Sequence, residues 1–148
     1  DLIVCNSPNS RLGNHMNVKV LRDFRDIFVG NPDCFSPEEI PCELKTLLKQ
    51  PILMLSSKST TSEYLHQMFA THGLNLLPEV ELNSNDLLMD LARIGLGIAC
   101  IPDYMLNPDD SLKPIPLADP LPPRQLVLVQ HDSLPLSQAA ERFLDMFS

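Results

Sequence analysis

The chain has no tryptophan, and aromatic residues make up only 5% of its 148 positions. That scarcity disfavours stacking platforms for single-stranded nucleic acid or sugar rings, which need exposed ring faces. Positive charge is scarce as well. Eleven Lys and Arg stand against 19 Asp and Glu, giving a formal net charge of −8, and no basic cluster interrupts this balance. A chain of that sign is not expected to hold DNA or an anionic membrane by itself. No apolar run is long enough to span a bilayer, and no signal-peptide pattern is present. Cys5, Cys34, Cys42 and Cys100 lack CxxC spacing, and His15, His66, His72 and His131 lack metal-ligand spacing, so no metal site is expected. A phosphate-binding P-loop, a dinucleotide fingerprint and a Gly-x-Ser-x-Gly elbow are all missing, so no cofactor is expected and no activated nucleophile stands out.

What is present is a large apolar fraction, 44%, enough for a core in one domain or two small lobes. The most informative stretch runs from Asn83 to Pro102. Asn83, Ser84 and Asn85 are good helix caps. Leu87, Leu88, Leu91 and Ile94 follow at helical spacing, with Asp86, Asp90 and Arg93 off that face, at spacings that allow a weak ion pair. Gly95 suits a left-handed helix stop, and Gly97 suits close passage past a neighbour. Ile98 to Ile101 reads as a strand covered on both sides, ended by Pro102.

The rest of the chain has the same grammar. Asp1–Cys5 opens as a buried strand, which suggests that the chain begins inside a domain. Val18–Leu21 and Phe24–Gly30 are extended runs. Ser36-Pro37-Glu38-Glu39 reads as the cap and first turn of a short helix reaching Leu48. Pro51–Leu55 is a strand leading into Ser56-Ser57-Lys58-Ser59-Thr60-Thr61-Ser62. Thr60 and Glu63 have capping-box spacing, Leu65, Met68, Phe69 and His72 share a helical face, and Gly73 ends the helix. Leu76–Leu82 is extended, and Pro78 points to an edge position or a strand start. The alternation across Pro51–Pro102 implies a parallel sheet with helices on its faces. Leu106–Pro123 is proline-rich and reads as a crossover, Arg124–Gln130 as a strand. A terminal helix from Pro135 or Ser137 has Leu136, Ala139, Ala140, Phe143, Leu144 and Phe147 on one face.

Gly95-Leu96-Gly97-Ile98-Ala99-Cys100-Ile101-Pro102, with an apolar helix before it and Asp103-Tyr104-Met105-Leu106 after it, resembles the core motif of the effector-binding domain of LysR-type transcriptional regulators. The serine/threonine loop after Pro51–Leu55 and the ending with Arg124–Gln130 and the Phe143 helix resemble that family in order and spacing. The family loop often has His-Pro-Leu where this chain has Asn31-Pro32-Asp33-Cys34-Phe35. The resemblance implies an α/β fold of the type 2 periplasmic-binding-protein kind, with two Rossmann-like lobes around a cleft. Residues 1–30 and 123–148 would form a first lobe lacking its opening units, and residues 31–122 a complete second lobe.

It further implies a ligand-sensing regulatory domain rather than an enzyme, acting in the cytoplasm. A small, anionic effector would bind between the lobes and shift the conformational population of a homodimer or homotetramer. DNA would be met only through a winged helix-turn-helix outside this sequence, and no membrane is involved. The helix over Glu63–His72 is the implied pairing surface.

In α/β sheets ligands collect at the carboxyl ends of parallel strands, and Ser56–Thr60 and Asn83–Asn85 both occupy such positions. In the resembled family the loops corresponding to these two clusters border the effector cleft, so the resemblance implies Ser57, Ser59, Thr60 and Asn83 as the leading effector contacts, with Ser56, Ser84 and Asn6 as further candidates. The alternatives are a transporter's solute-binding domain of the same fold, or a small α/β enzyme. Some members of the resembled family sense oxidants with two cysteines; here Cys34 and Cys42 lie in one loop region without the matching local motif.

Overall fold

The computed structural model describes residues 2–36 and 40–147. Its elements are β1 (Leu2–Ser7), β2 (Met16–Phe24), β3 (Asp26–Gly30), α1 (Leu44–Leu47), β4 (Ile52–Leu55), α2 (Thr60–Thr71), β5 (Val80–Leu82), α3 (Asn85–Arg93), β6 (Ile98–Pro102), β7 (Lys113–Pro114), β8 (Arg124–His131) and α4 (Gln138–Asp145). The chain divides into two compact units, residues 1–24 with 123–148, and residues 25–122.

The second unit is a five-stranded sheet in the order β5-β4-β6-β3-β7. β5, β4 and β6 run parallel, and β3 and β7 extend the sheet antiparallel on the far side of β6. Both faces of the central strands are apolar, which explains why they read as continuous hydrophobic runs. Phe28, Ile52, Met54, Ile98 and Cys100 point into one core layer with Leu65 and Phe69 of α2. Their alternating neighbours Val29, Leu53, Ala99 and Ile101 point into the other with Leu88, Met89 and Ala92 of α3. The rings of Phe28 and Phe69 meet edge to face at 6.1 Å.

The parallel arrangement expected for Pro51–Pro102 is therefore present, with two antiparallel additions from outside that stretch. β3 is one of them. Assigned to the first lobe from sequence, it pairs with β6 from Asp26↔Pro102 to Val29↔Ala99 and lies in the second unit. The run over Phe24–Gly30 is broken at Arg25, because Phe24 still pairs with Arg124 of β8.

The glycines behave as expected. Gly95 has φ +83°, and Gly97 passes so close to β4 that a Cβ there would lie 2.5 Å from the Pro51 carbonyl oxygen. The α3 face is rotated from its expected position. Leu88 is fully buried with Met89 and Ala92, whereas Leu87 and Ile94 are exposed. Among the described residues, the helix anticipated from Ser36 to Leu48 is the single turn α1. Cys42 instead bridges to Leu117, its N–H donating to the Pro116 carbonyl at 2.7 Å, which holds that segment extended. Residues 37–39 of the expected cap, and residues 1 and 148 at the ends, lie outside the described residues.

The first unit is a three-stranded antiparallel sheet in the order β1-β8-β2. β8 is its buried centre through Val127, Leu128 and Val129. The Arg124 side chain is buried with its guanidinium carbon 5.4 Å from the Phe24 ring centroid, a cation–π arrangement. Ser137 caps α4 by accepting from the Ala140 N–H at 3.2 Å. Of the expected apolar face only Ala140 is buried, and Phe143 and Phe147 remain exposed, stacked edge to face at 5.0 Å. None of the four cysteines is in a disulfide: Cys42 and Cys100 are buried, Cys5 is half-buried and Cys34 is exposed.

Candidate functional site

Parallel strands joined by helices put every helix start at the same end of the sheet. β4 and β5 are in register from Leu53↔Val80 to Leu55↔Leu82, so Ser56 and Asn83 leave adjacent strands side by side. One further bond fixes the two loops together: the Ser56 N–H donates to the Leu82 carbonyl at 2.8 Å. The starts of α2 and α3 consequently open next to each other, each with N–H groups that the helix cannot satisfy.

The cap of α2 sits one residue before the expected capping box. Ser59 Oγ accepts from the Ser62 N–H at 3.0 Å, and the Ser59 carbonyl accepts from Glu63 N–H at 3.1 Å. Thr60 is the first helical residue. Ser56 closes the turn before the helix: its Oγ accepts from the Lys58 N–H at 3.3 Å and its carbonyl from Ser59 N–H at 2.8 Å. In the second loop, Ser84 of the three candidate caps takes the role, accepting from Leu87 N–H at 3.4 Å. Ser57 and Asn83 are exposed, and among the described residues the side chains of Ser57, Thr60 and Asn83 make no hydrogen bond to the protein.

Six of the seven sequence candidates, Ser56, Ser57, Ser59, Thr60, Asn83 and Ser84, thus gather at one end of the second unit. The seventh, Asn6, belongs to the first unit, in β1 opposite Leu126. Asn85, which the sequence presents as one more cap, is instead the first residue of α3. Its Oδ1 is buried without a hydrogen-bond partner.

The electrostatics favour a weakly held anion. Helix starts and free N–H groups attract negative charge, whereas Glu63 and Asp86 in the first turns offset part of that field. Lys58 is exposed in the first loop. The cluster offers donors and acceptors; within α2, His66 Nδ1 lies 2.7 Å from the Ser62 carbonyl and 3.3 Å from the Ser62 hydroxyl, and no group of metal-ligating side chains occurs among the described residues.

Two charged contacts that sequence spacing could not reveal brace the scaffold around it. Arg93 pairs with Asp90 and, through Nη2 at 2.7 Å and Nε at 3.1 Å, bidentately with Asp110, 17 residues on. The Arg93 guanidinium holds the Asp110 carboxyl down at about 2, and the Leu112 N–H bond to the same carboxylate contributes. At the other end of α2, His72 Nδ1 lies 3.0 Å from the Met68 carbonyl and Nε2 3.1 Å from Asp119. Those two bonds raise the imidazole above its ordinary range.

The sequence matches the family model described as LysR substrate binding domain over residues 1–148. Among solved structures, the regulatory domain of CcmR from Synechocystis PCC6803 in complex with 2-PG superposes with a TM-score of 0.85 at 17% identity, covering 99% of this chain and 71% of that one. The effector-binding domain of QuiR in complex with shikimate gives 0.82 at 15% identity, over 98% and 68%. The probable transcriptional regulator PA0477 from Pseudomonas aeruginosa gives 0.81 at 18% identity, over 100% of this chain and 50% of that chain. This chain therefore spans half to about three-quarters of the proteins it superposes on, and at these identities the likeness establishes the fold, the type 2 periplasmic-binding-protein-like one. The match over residues 1–148 settles the family: the chain belongs to the LysR substrate binding domains, the ligand-sensing regulatory parts of LysR-type transcriptional regulators.

Proposed function

We propose that this domain senses a small anionic effector at the end of the second unit where α2 and α3 begin. The observation that carries the reading is the Ser56–Leu82 backbone bond, which brings two helix starts and their unspent polar groups together. Ser57, Thr60 and Asn83 would supply direct contacts. Ser59 and Ser84 would donate their hydroxyl protons while still accepting from their cap N–H groups, since a hydroxyl has one donor and two lone pairs. Ser56 would be a secondary contact. Shikimate, the ligand seen with QuiR, is a hydroxylated carboxylate of the kind such a donor-rich pocket would hold. Effector binding would shift the population between two arrangements of a homo-oligomer, with α2 as a pairing surface, and alter DNA binding by a winged helix-turn-helix elsewhere in the regulator, in the cytoplasm. Reversible binding, rather than chemistry on the effector, is the role proposed.

The test separates capping from binding. A thermal-shift screen against small carboxylates should find a ligand that raises the melting temperature by mass action. Asn83→Ala should remove that shift without lowering the ligand-free melting temperature. Ser59→Asp preserves the cap, because Asp is as good a cap as Ser, yet places a negative charge where the anion would sit. It should keep stability and lose the ligand response. An undiminished response in both variants would reject the site.

A further inference from the structure

The proline-rich return segment leaves a cavity in the second unit, at the β3 side of the sheet. β7 pairs with β3 only at Gly30↔Lys113 and Val29↔Pro114, and Ile115 N–H then donates to the Phe28 carbonyl at 2.8 Å. Pro116 comes next, and its carbonyl faces away from β3 and accepts from the Cys42 N–H at 2.7 Å. The segment turns away there, its Pro116 and Leu117 joining Cys42. Between the first half of β3 and this strap lies a cavity of about 360 Å³, within the usual range for small-ligand sites of about 300–1,000 Å³. Its walls are largely apolar, including Ile27, Phe28, Ile115, Leu117 and Leu121.

One charged group with unspent donors joins that lining. Arg25 is exposed, and among the described residues its guanidinium makes a single hydrogen bond, from Nη1 to the Leu121 carbonyl at 3.2 Å. That bond ties the head group to the strap and leaves its other N–H groups available. Asp26 also lines the cavity, but it is 3% exposed and already engaged, so it does not compete for a ligand. We propose that this cavity is a second ligand site, which takes a small monocarboxylate with a compact apolar body: the ring or chain against Ile27, Phe28 and Ile115, and the carboxylate on Arg25. A planar guanidinium suits a carboxylate better than a point cation does, because two parallel N–H bonds form. The cavity lies at the same end of the sheet as the polar cluster, displaced sideways from it and sharing no lining residue with it. In the order β5-β4-β6-β3-β7, β3 lies two strand spacings from β4, about 10 Å.

Cyclohexanecarboxylate and its neutral amide, titrated into this chain and followed by nitrogen–proton correlation spectra, test the assignment. The acid should shift the amide signals of Ile27, Ile115 and Leu121 with a dissociation constant on the order of 1 mM or below. Arg25→Gln should weaken it at least about tenfold while leaving the weaker binding of the amide unchanged. Ile115→Trp, which fills the cavity, should abolish both. The acid should still bind Asn83→Ala. Shifts confined to Ser57, Thr60 and Asn83, equal affinity in Arg25→Gln, or no shift at tens of millimolar acid would each overturn the proposal.

Discussion

Replacing Asp110 by Asn should destabilise the second unit near neutral pH and do nothing at strongly acidic pH. Asp110 has a side chain only 6% exposed and takes two hydrogen bonds from Arg93. Its carboxyl falls from 3.8 in the unfolded chain to about 2 in the fold. That difference corresponds to about 2 kcal/mol if unscreened. Arg93 is 35% exposed, so solvent reduces the charge contribution to about 1 kcal/mol. Because the folded value is the lower one, the contribution is complete above the ordinary carboxylate range and disappears as pH falls from about 4 to about 2. The Asn variant keeps an oxygen for the Leu112 N–H and Arg93 Nε, and loses the charge and the acceptor that faces Arg93 Nη2. Urea unfolding read by tyrosine near-UV circular dichroism isolates the relevant unit, since both tyrosines, Tyr64 and Tyr104, lie within residues 25–122. Asp90→Asn is the control. That carboxylate is 67% exposed, and its loss should change stability by less than about 0.5 kcal/mol. Equal stability of Asp110→Asn and the parent at neutral pH, or a gap that is undiminished at about pH 1.5, would refute the reasoning.

Gly95→Ala should cost about 1–2 kcal/mol, because the position has φ +83° and the new Cβ would lie 2.5 Å from Cys34 Sγ. Adding Cys34→Ala should recover only part of that loss in the same urea assay, since the backbone strain remains; full recovery would mean that the contact alone mattered. Phe69→Ala should cost about 3–5 kcal/mol, because the ring is fully buried against Phe28. A loss below about 1 kcal/mol would mean that α2 does not close its side of the core.

The second unit was legible where a local signal and a long-range constraint agreed. Gly95 stops a helix and Ile98–Ile101 fills a central strand for reasons written in those residues alone, and both features stand as expected. The rotation of the α3 face was not legible. Leu87, Leu88, Leu91 and Ile94 fit a helical stripe as well as Leu88, Met89 and Ala92 do, and only the position of the sheet chooses between them. The short α1 failed for a related reason. The backbone bonds of Cys42 to the return segment, which no local pattern announces, hold Cys42 itself extended just before α1. Arg93–Asp110 had no signal because nothing in a sequence marks two residues 17 apart as neighbours. The apolar spacing around Phe143 announced a buried face that the first unit leaves exposed.

The candidate site shows how one set of groups serves two purposes. A serine that caps a helix and a serine that binds an anion are chosen by the same physics, an oxygen beside unsatisfied N–H groups at a positive helix end. Composition at Ser59 or Ser84 therefore cannot separate the roles. Topology adds the missing term. An isolated cap faces wherever its helix happens to start, but β4 and β5 run parallel and adjacent, so α2 and α3 must start together. Their dipoles then add at one place instead of cancelling, as they would if one helix pointed the other way. Two helices also leave more N–H groups than two cap oxygens can take. The surplus, together with the uncommitted side chains of Ser57, Thr60 and Asn83, is what distinguishes this end of the sheet from an ordinary pair of caps.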